Sequence, residues 1–160
     1  MRIVLSRYES PIGPLVLAAE GDVLVALEFP HRAKKVREQW SAEDGPLSKK
    51  IRAALDAYFA GDLGAIDRLE VRTEGTPFQR EVWATLRRIP AGQVWSYKQL
   101  AREVGRPKAM RAVGAANGAN PVALVVPCHR VIATGGKLGG YGGGLDRKEW
   151  LLRHEHALIA

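Results

Sequence analysis

The sequence predicts a two-part α/β (α+β) protein. A small strand-rich half with a helix, residues 1–75, precedes a mostly helical half, residues 76–160. Three observations lead there. Residues 1–29 alternate short apolar runs with turn residues. From Thr76 the apolar spacing turns helical. The charge divides at the same place: residues 1–75 carry 11 Lys/Arg against 12 Asp/Glu (net −1), and residues 76–160 carry 13 against 5 (net +8). At 160 residues and 46% hydrophobic composition the chain is large enough to bury a core.

In the first half, "RIVLSRYESPIGPLVLAAEGDVLVALEF" reads as short strands. Ser10-Pro11-Ile12-Gly13 forms one turn, and Glu20-Gly21-Asp22 a second that fits a hairpin. Pro30 closes the run, and the polar "HRAKKVREQW" suits a helix. Ser48 is placed to cap a helix reaching Ala60, with Ile51, Leu55 and Tyr58 or Phe59 on one face and Gly61 as its stop. A loop then leads to an extended piece near Val71.

In the second half, Thr76 is an N-cap with Pro77 at the first helical position, and Phe78, Val82, Leu86 and Ile89 follow helical spacing. Ser96 and Gln99 form a capping-box pattern. Leu100 and Val104 face inward, Gly105 stops the helix, and Pro107 begins a second one. Helix, glycine turn, helix is the helix-turn-helix pattern, here set in the basic half. The second helix is nearly bare: Ala109, Ala112, Gly114, Ala115 and Ala116 leave Arg111 as its one long charged arm. Such a helix packs closely against another helix, or approaches a DNA minor groove only about 6 Å wide.

The chain holds one cysteine, Cys128. That excludes an internal disulfide and a multi-cysteine zinc site, and fits a reducing, intracellular setting. Val122 to Val126 reads as a buried strand leading to it. His129 and Arg130 follow, and in an extended segment they point opposite ways. A lone buried cysteine is commonly an inert hydrophobe, but the Pro-Cys-His-Arg context favours a nucleophile activated by positive charge or a base. His129 would reach the sulfur through a water or a bend at Pro127. A third group that orients it must come from Glu81, Glu103, Asp146, Glu149 or Glu155. Seven of residues 135–144 are glycine. Lys137 is followed by Leu138, so the run is not a P-loop. It suits backbone approaching a flat ligand, with Tyr141 lining it. His31, His154 and His156 lack metal-ligand spacing.

The N-terminus lacks an apolar signal region and no run reaches membrane-spanning length. The basic half points to a polyanion, foremost nucleic acid.

"NPVALVVPCHRVI", with "GYGGGLDRKEWLLRHE" downstream and "FQREVW", "SYKQLA" and "RAVGAANGANP" upstream, resembles the O6-alkylguanine-DNA alkyltransferases, the methylated-DNA–protein-cysteine methyltransferases. The resemblance covers residues 76–160, and "SPIGPLVLA" extends it into the first half. It implies a ribonuclease-H-like N-terminal domain and a C-terminal domain for DNA binding and alkyl transfer. It implies that O6-alkylguanine is flipped from double-stranded DNA and its alkyl group moved irreversibly to Cys128, once per molecule. By the same resemblance His129 is the base, acting through a water; Glu155 orients it; Asn120 holds the active-site turn. Tyr97 contacts the phosphate beside the flipped base and donates to the purine. Arg111 fills the vacated stack from the small-residue helix of Ala112 and Gly114. The Val126 carbonyl and the backbone around Val131 and Gly142 read the guanine edge, and Tyr141 lines the alkyl pocket. No cofactor or metal is expected, and the protein is expected to be a cytoplasmic monomer away from membranes.

The chain departs from the family pattern in places. Gly142 stands where many members carry Ser. Asn117 and Ala123 stand where some members are larger and more apolar. The cysteines that bind zinc in some N-terminal halves are absent. Two other functions fit parts of the pattern. A lesion sensor that binds without transfer is opposed by Cys128, and a Cys-His hydrolase would turn over without DNA. A transcription regulator is opposed by the lack of long polar side chains on the second helix.

Overall fold

The computed structural model describes residues 2–133 and 135–157. It divides into two compact units, Met1–Glu74 and Gly75–Ala160.

The first unit is built on an antiparallel meander of β1 (Val4–Ser10), β2 (Gly13–Glu20) and β3 (Val23–Glu28). Ser10 shapes the first turn: its Oγ accepts from the Ile12 amide at 3.2 Å and donates to the Gly13 carbonyl at 2.6 Å. Helix α1 (Ala33–Trp40) leads into a two-residue strand, β4 (Glu43–Asp44), parallel to β1. The sheet order is β3-β2-β1-β4. Leu15, Val16, Leu17 and Ala18 of β2 are all buried, so this inner strand is covered on both faces. Val36 of α1 joins Leu5, Val16, Ala18 and Val25 in one cluster. Helix α2 (Lys49–Phe59) starts where Ser48 Oγ accepts from the Ile51 amide, and it buries Ile51, Leu55 and Tyr58. Phe59 stacks on Tyr8 instead, and the Tyr8 hydroxyl donates to Asp56 Oδ1 at 2.6 Å. The extended piece near Val71 is only a single parallel bridge to Leu24.

In the second unit, α3 (Pro77–Leu86) carries the full Thr76–Gln79 capping box and buries Val82, Trp83 and Leu86. β5 (Trp95–Ser96) runs into α4 (Tyr97–Glu103), capped by Ser96 Oγ accepting from the Gln99 amide. Gly105 ends it at φ +82°, a conformation that favours glycine. The next helix, α5, spans Met110–Gly118, so Pro107 lies in the preceding turn rather than at the helix start. Trp83 Nε1 donates to the Ala116 carbonyl at 2.8 Å, locking α3 to α5. β6 (Val131–Ile132) pairs parallel with β5, and α6 (Leu145–His154) closes the unit. The small residues of α5 thus serve both readings: Val113, Ala116 and Asn117 are buried, while Arg111, Ala112, Ala115, Gly118 and Ala119 are exposed.

Candidate active site around Cys128

The segment before the cysteine is not a strand. Its apolar residues are buried, but the backbone makes consecutive tight turns: Val125 N donates to Ala123 O at 2.8 Å, Val126 N to Val122 O at 3.0 Å and Cys128 N to Val126 O at 2.8 Å. Leu124 sits at φ +73°, which costs a residue with a Cβ about 1 kcal/mol. Asn120 clamps this run. Its Nδ2 donates to the Val126 carbonyl at 2.7 Å and its Oδ1 accepts from Val122 N at 2.9 Å, both within the protein interior. Burial satisfied by β-branched residues was misread as strand periodicity, because the turns consume the backbone groups locally.

Cys128–Arg130 is a turn of 3₁₀ helix. In that turn His129 and Arg130 do not diverge; both are buried and both reach Glu155 just beyond α6. His129 Nε2 lies 2.9 Å from Glu155 Oε2. Arg130 grips the same carboxylate with two bonds, Nε to Oε1 and Nη2 to Oε2, each 2.9 Å, and its Nη1 donates to the Ile89 carbonyl at 2.7 Å. Of the five candidate carboxylates, Glu155 is the one against His129.

The electrostatics define the proton positions. Burial alone would raise the Glu155 carboxyl, but His129 and Arg130 outweigh it and hold it below the usual carboxylate range. An ionised Glu155 accepts the Nε2 hydrogen of His129, which leaves Nδ1 as the unprotonated nitrogen. Burial lowers the His129 pKa, keeping the ring neutral at pH 7, and its Nδ1 is buried without a protein partner.

Lys148 of α6 is fully buried, which sequence reading missed. Its Nζ donates to the Val131 carbonyl at 2.6 Å and the Gly140 carbonyl at 3.2 Å, tying the strand after Cys128 to the glycine loop. Burial depresses its pKa to about 8, while the nearby Cys128 charge acts to raise it. Among Arg130, Glu155 and Lys148 the interior carries one uncompensated positive charge at pH 7. A thiolate on the half-buried Cys128 balances it. The hint in sequence was position: Lys148 lies between Leu145 and Leu151–Leu152 on a helix whose apolar face it shares.

Parallel pairing of Ser96 with Ile132 sets the start of α4 beside the segment after the nucleophile. Tyr97 stands half-buried between two glycines: a Cβ at Gly114 would lie 3.7 Å from Tyr97 Cδ1, and one at Gly139 would lie 3.5 Å from its Oη. A cleft lined by Tyr97, Met110, Arg111, Gly114 and Ala133 opens here, with Arg111 exposed on its wall and Ala112 exposed next to it. Tyr141 is half-buried in the glycine loop. Gly142 is exposed, and a Cβ there would meet nothing within 4 Å, so serine would fit. Of the two carbonyls expected to read a base, Val126 O already accepts from Asn120 and Cys128, and Val131 O accepts from Lys148. A base edge at Val126 would have to displace one of two donors. Among the described residues no group of three or more His, Cys, Asp or Glu is gathered to hold a metal ion, and no helix is long and apolar enough to cross a membrane.

The sequence profile of the 6-O-methylguanine DNA methyltransferase DNA binding domain matches residues 77–157. That of the ribonuclease-like domain of the same family matches residues 3–73. The methylated-DNA–protein-cysteine methyltransferase of Shigella flexneri is 50% identical, with 99% of each chain covered. Its counterpart in Mycobacterium bovis is 48% identical over 92% of this chain and 88% of its own. The crystal structure of the Mycobacterium tuberculosis OGT in complex with DNA superposes with a TM-score of 0.85 at 44% identity, covering 96% of this chain and 92% of that one. Both halves of the chain and the turn that carries Cys128 therefore have one origin: the chain belongs to the 6-O-methylguanine DNA methyltransferase family.

Proposed function

We propose that this protein repairs O6-alkylguanine in double-stranded DNA by moving the alkyl group onto Cys128 Sγ. The observation that carries the reading is the His129 ring, neutral and buried, with one nitrogen on Glu155 and the other, Nδ1, unpartnered beside the nucleophile. His129 takes the thiol proton through a bridging water. Sulfur then attacks the alkyl carbon in line, an S–C bond forms and the C–O6 bond breaks. The electron pair stays on the guanine oxygen and spreads into the purine ring, where the Tyr97 hydroxyl stabilises it by hydrogen bonding. The proton held by His129 returns to the base, which leaves as guanine. The thioether has no adjacent group able to cleave it, so each molecule reacts once. Asn120 holds the turn, and Arg111 enters the duplex as the base leaves it. The guanine edge is read by the backbone near Val131 and Gly142, with Tyr141 along the alkyl group. A thiol that must stay reduced suits the cytoplasm.

The test is intact-protein mass spectrometry after incubation with excess O6-methylguanine duplex. One methyl group on Cys128 and no further turnover is expected, with no transfer by Cys128→Ser. Sustained turnover, or a methyl group on another residue, contradicts the reading.

A further inference from the structure

We propose that Asn117 is a positioning residue that sets the direction of the Tyr97 hydroxyl proton. It does so by donating an amide N–H to the Tyr97 oxygen, which aims the proton at an acceptor on the bound base. The proposal rests on the alkyl-transfer reading above.

Gly114 and Asn117 lie three residues apart on α5 and so share a face. Gly114 packs against one edge of the Tyr97 ring, and Gly139 of the glycine loop lies against the other. The ring is therefore held from two sides, and its rotation cannot carry the oxygen elsewhere. Asn117 is 5% exposed, and its side chain hydrogen-bonds the Tyr97 hydroxyl. Its Oδ1 has no partner among the protein atoms, so the nitrogen makes that bond and the asparagine is the donor. A phenol oxygen that accepts on one side in the ring plane must direct its own hydrogen to the other. Burial, and after it the charge of Cys128, raise the Tyr97 pKa and outweigh the opposing effect of Asn117, so the group keeps the proton it is to donate. The partner this arrangement selects is an acceptor: an unprotonated ring nitrogen or carbonyl oxygen of the alkylated base. A buried, unpaired Oδ1 is a cost to folding, which argues that the amide is there for the site and not for the fold.

The experiment is a double-mutant cycle in single-turnover methyl transfer, with DNA affinity and thermal melting measured on each protein. Asn117→Leu removes the donor. It is expected to slow the transfer step about tenfold, the size of one hydrogen bond, with DNA Kd unchanged and the melting temperature no lower than wild type. Tyr97→Phe combined with Asn117→Leu is expected to be no slower than Tyr97→Phe alone, because Asn117 acts only through that hydroxyl. Asn117→Asp keeps the shape but can only accept, so it reverses the hydroxyl and is expected to lose at least as much. This variant decides the matter if Asn117→Leu does not fold. A wild-type rate for Asn117→Leu or Asn117→Asp, or losses that multiply in the double mutant, overturns the proposal. A wild-type protein that transfers no methyl group overturns the underlying reading instead.

Discussion

The Lys148 ammonium donates to the Val131 carbonyl at 2.6 Å with no surface exposed to solvent. Removing it as Lys148→Met leaves the Val131 and Gly140 carbonyls without this donor, at about 1–3 kcal/mol for each one left unsatisfied. It also removes the positive charge that balances a thiolate. Methyl transfer and alkylation of Cys128 by iodoacetamide are both expected to slow. An unchanged iodoacetamide rate would show that the charge does not reach the sulfur. The sign of the pH effect also follows. The folded-state pKa of about 8 lies below the ordinary lysine value, so between the two the unfolded chain binds a proton that the folded one does not. Wild-type stability therefore gains with pH above 8 relative to Lys148→Met, a difference that melting curves from pH 7 to 10 report.

Acid is expected to destabilise the protein in two stages. The lowered His129 pKa means that the unfolded chain protonates first as pH falls below about 6.5. The depressed Glu155 carboxyl repeats this below about 4.3, so stability present above that pH is lost as it falls. Urea unfolding at pH 8, 6, 5 and 4 checks it; a flat profile is inconsistent with both shifts. Glu155→Gln is expected to cost about 3 kcal/mol at pH 7, because the Arg130 charge is left buried without its partner, and to lose the lower stage.

Salt should weaken DNA binding through six cations. Lys98, Arg102, Arg106, Lys108, Arg111 and Lys137 are exposed, whereas Arg130, the other cation between residues 96 and 137, is spent on Glu155. With roughly three to five phosphate contacts, log affinity falls with log salt at about −0.9 per contact. Fluorescence anisotropy across a potassium chloride series measures the slope. Each contacting lysine changed to alanine should reduce it by about one contact, and a zero slope contradicts a phosphate-bound face.

Arg111→Ala separates base extrusion from chemistry. Repair of duplex DNA is expected to slow by about one to two orders of magnitude, roughly 1.4–2.8 kcal/mol of barrier. Reaction with free O6-benzylguanine should keep its rate, since a free base has no stack to leave. Placing the lesion opposite an abasic site should recover part of the loss. Equal slowing on both substrates would assign Arg111 to the fold or to the thiolate.

Local chemistry determined much of this protein before any tertiary contact was known. Thr76-Pro77 with Gln79, Ser96 with Gln99, Ser48 with Ile51, and Gly105 at positive φ each act within one turn of chain, and each stands where the sequence placed it. Cys128 was singled out for the same reason, because a proline, a histidine and an arginine surround it in sequence. Long-range contacts decided the rest. Valine-rich residues 122–126 have strand composition, yet Asn120 satisfies the backbone inside the segment and no neighbouring strand is needed. His129 and Arg130 point to one carboxylate because a 3₁₀ turn replaces the extended backbone. Glu155 was one of five equivalent carboxylates until the end of α6 brought it to His129. Lys148 reads in sequence as one more surface cation. Only the fold, by surrounding it with backbone carbonyls in place of water, makes it part of the site.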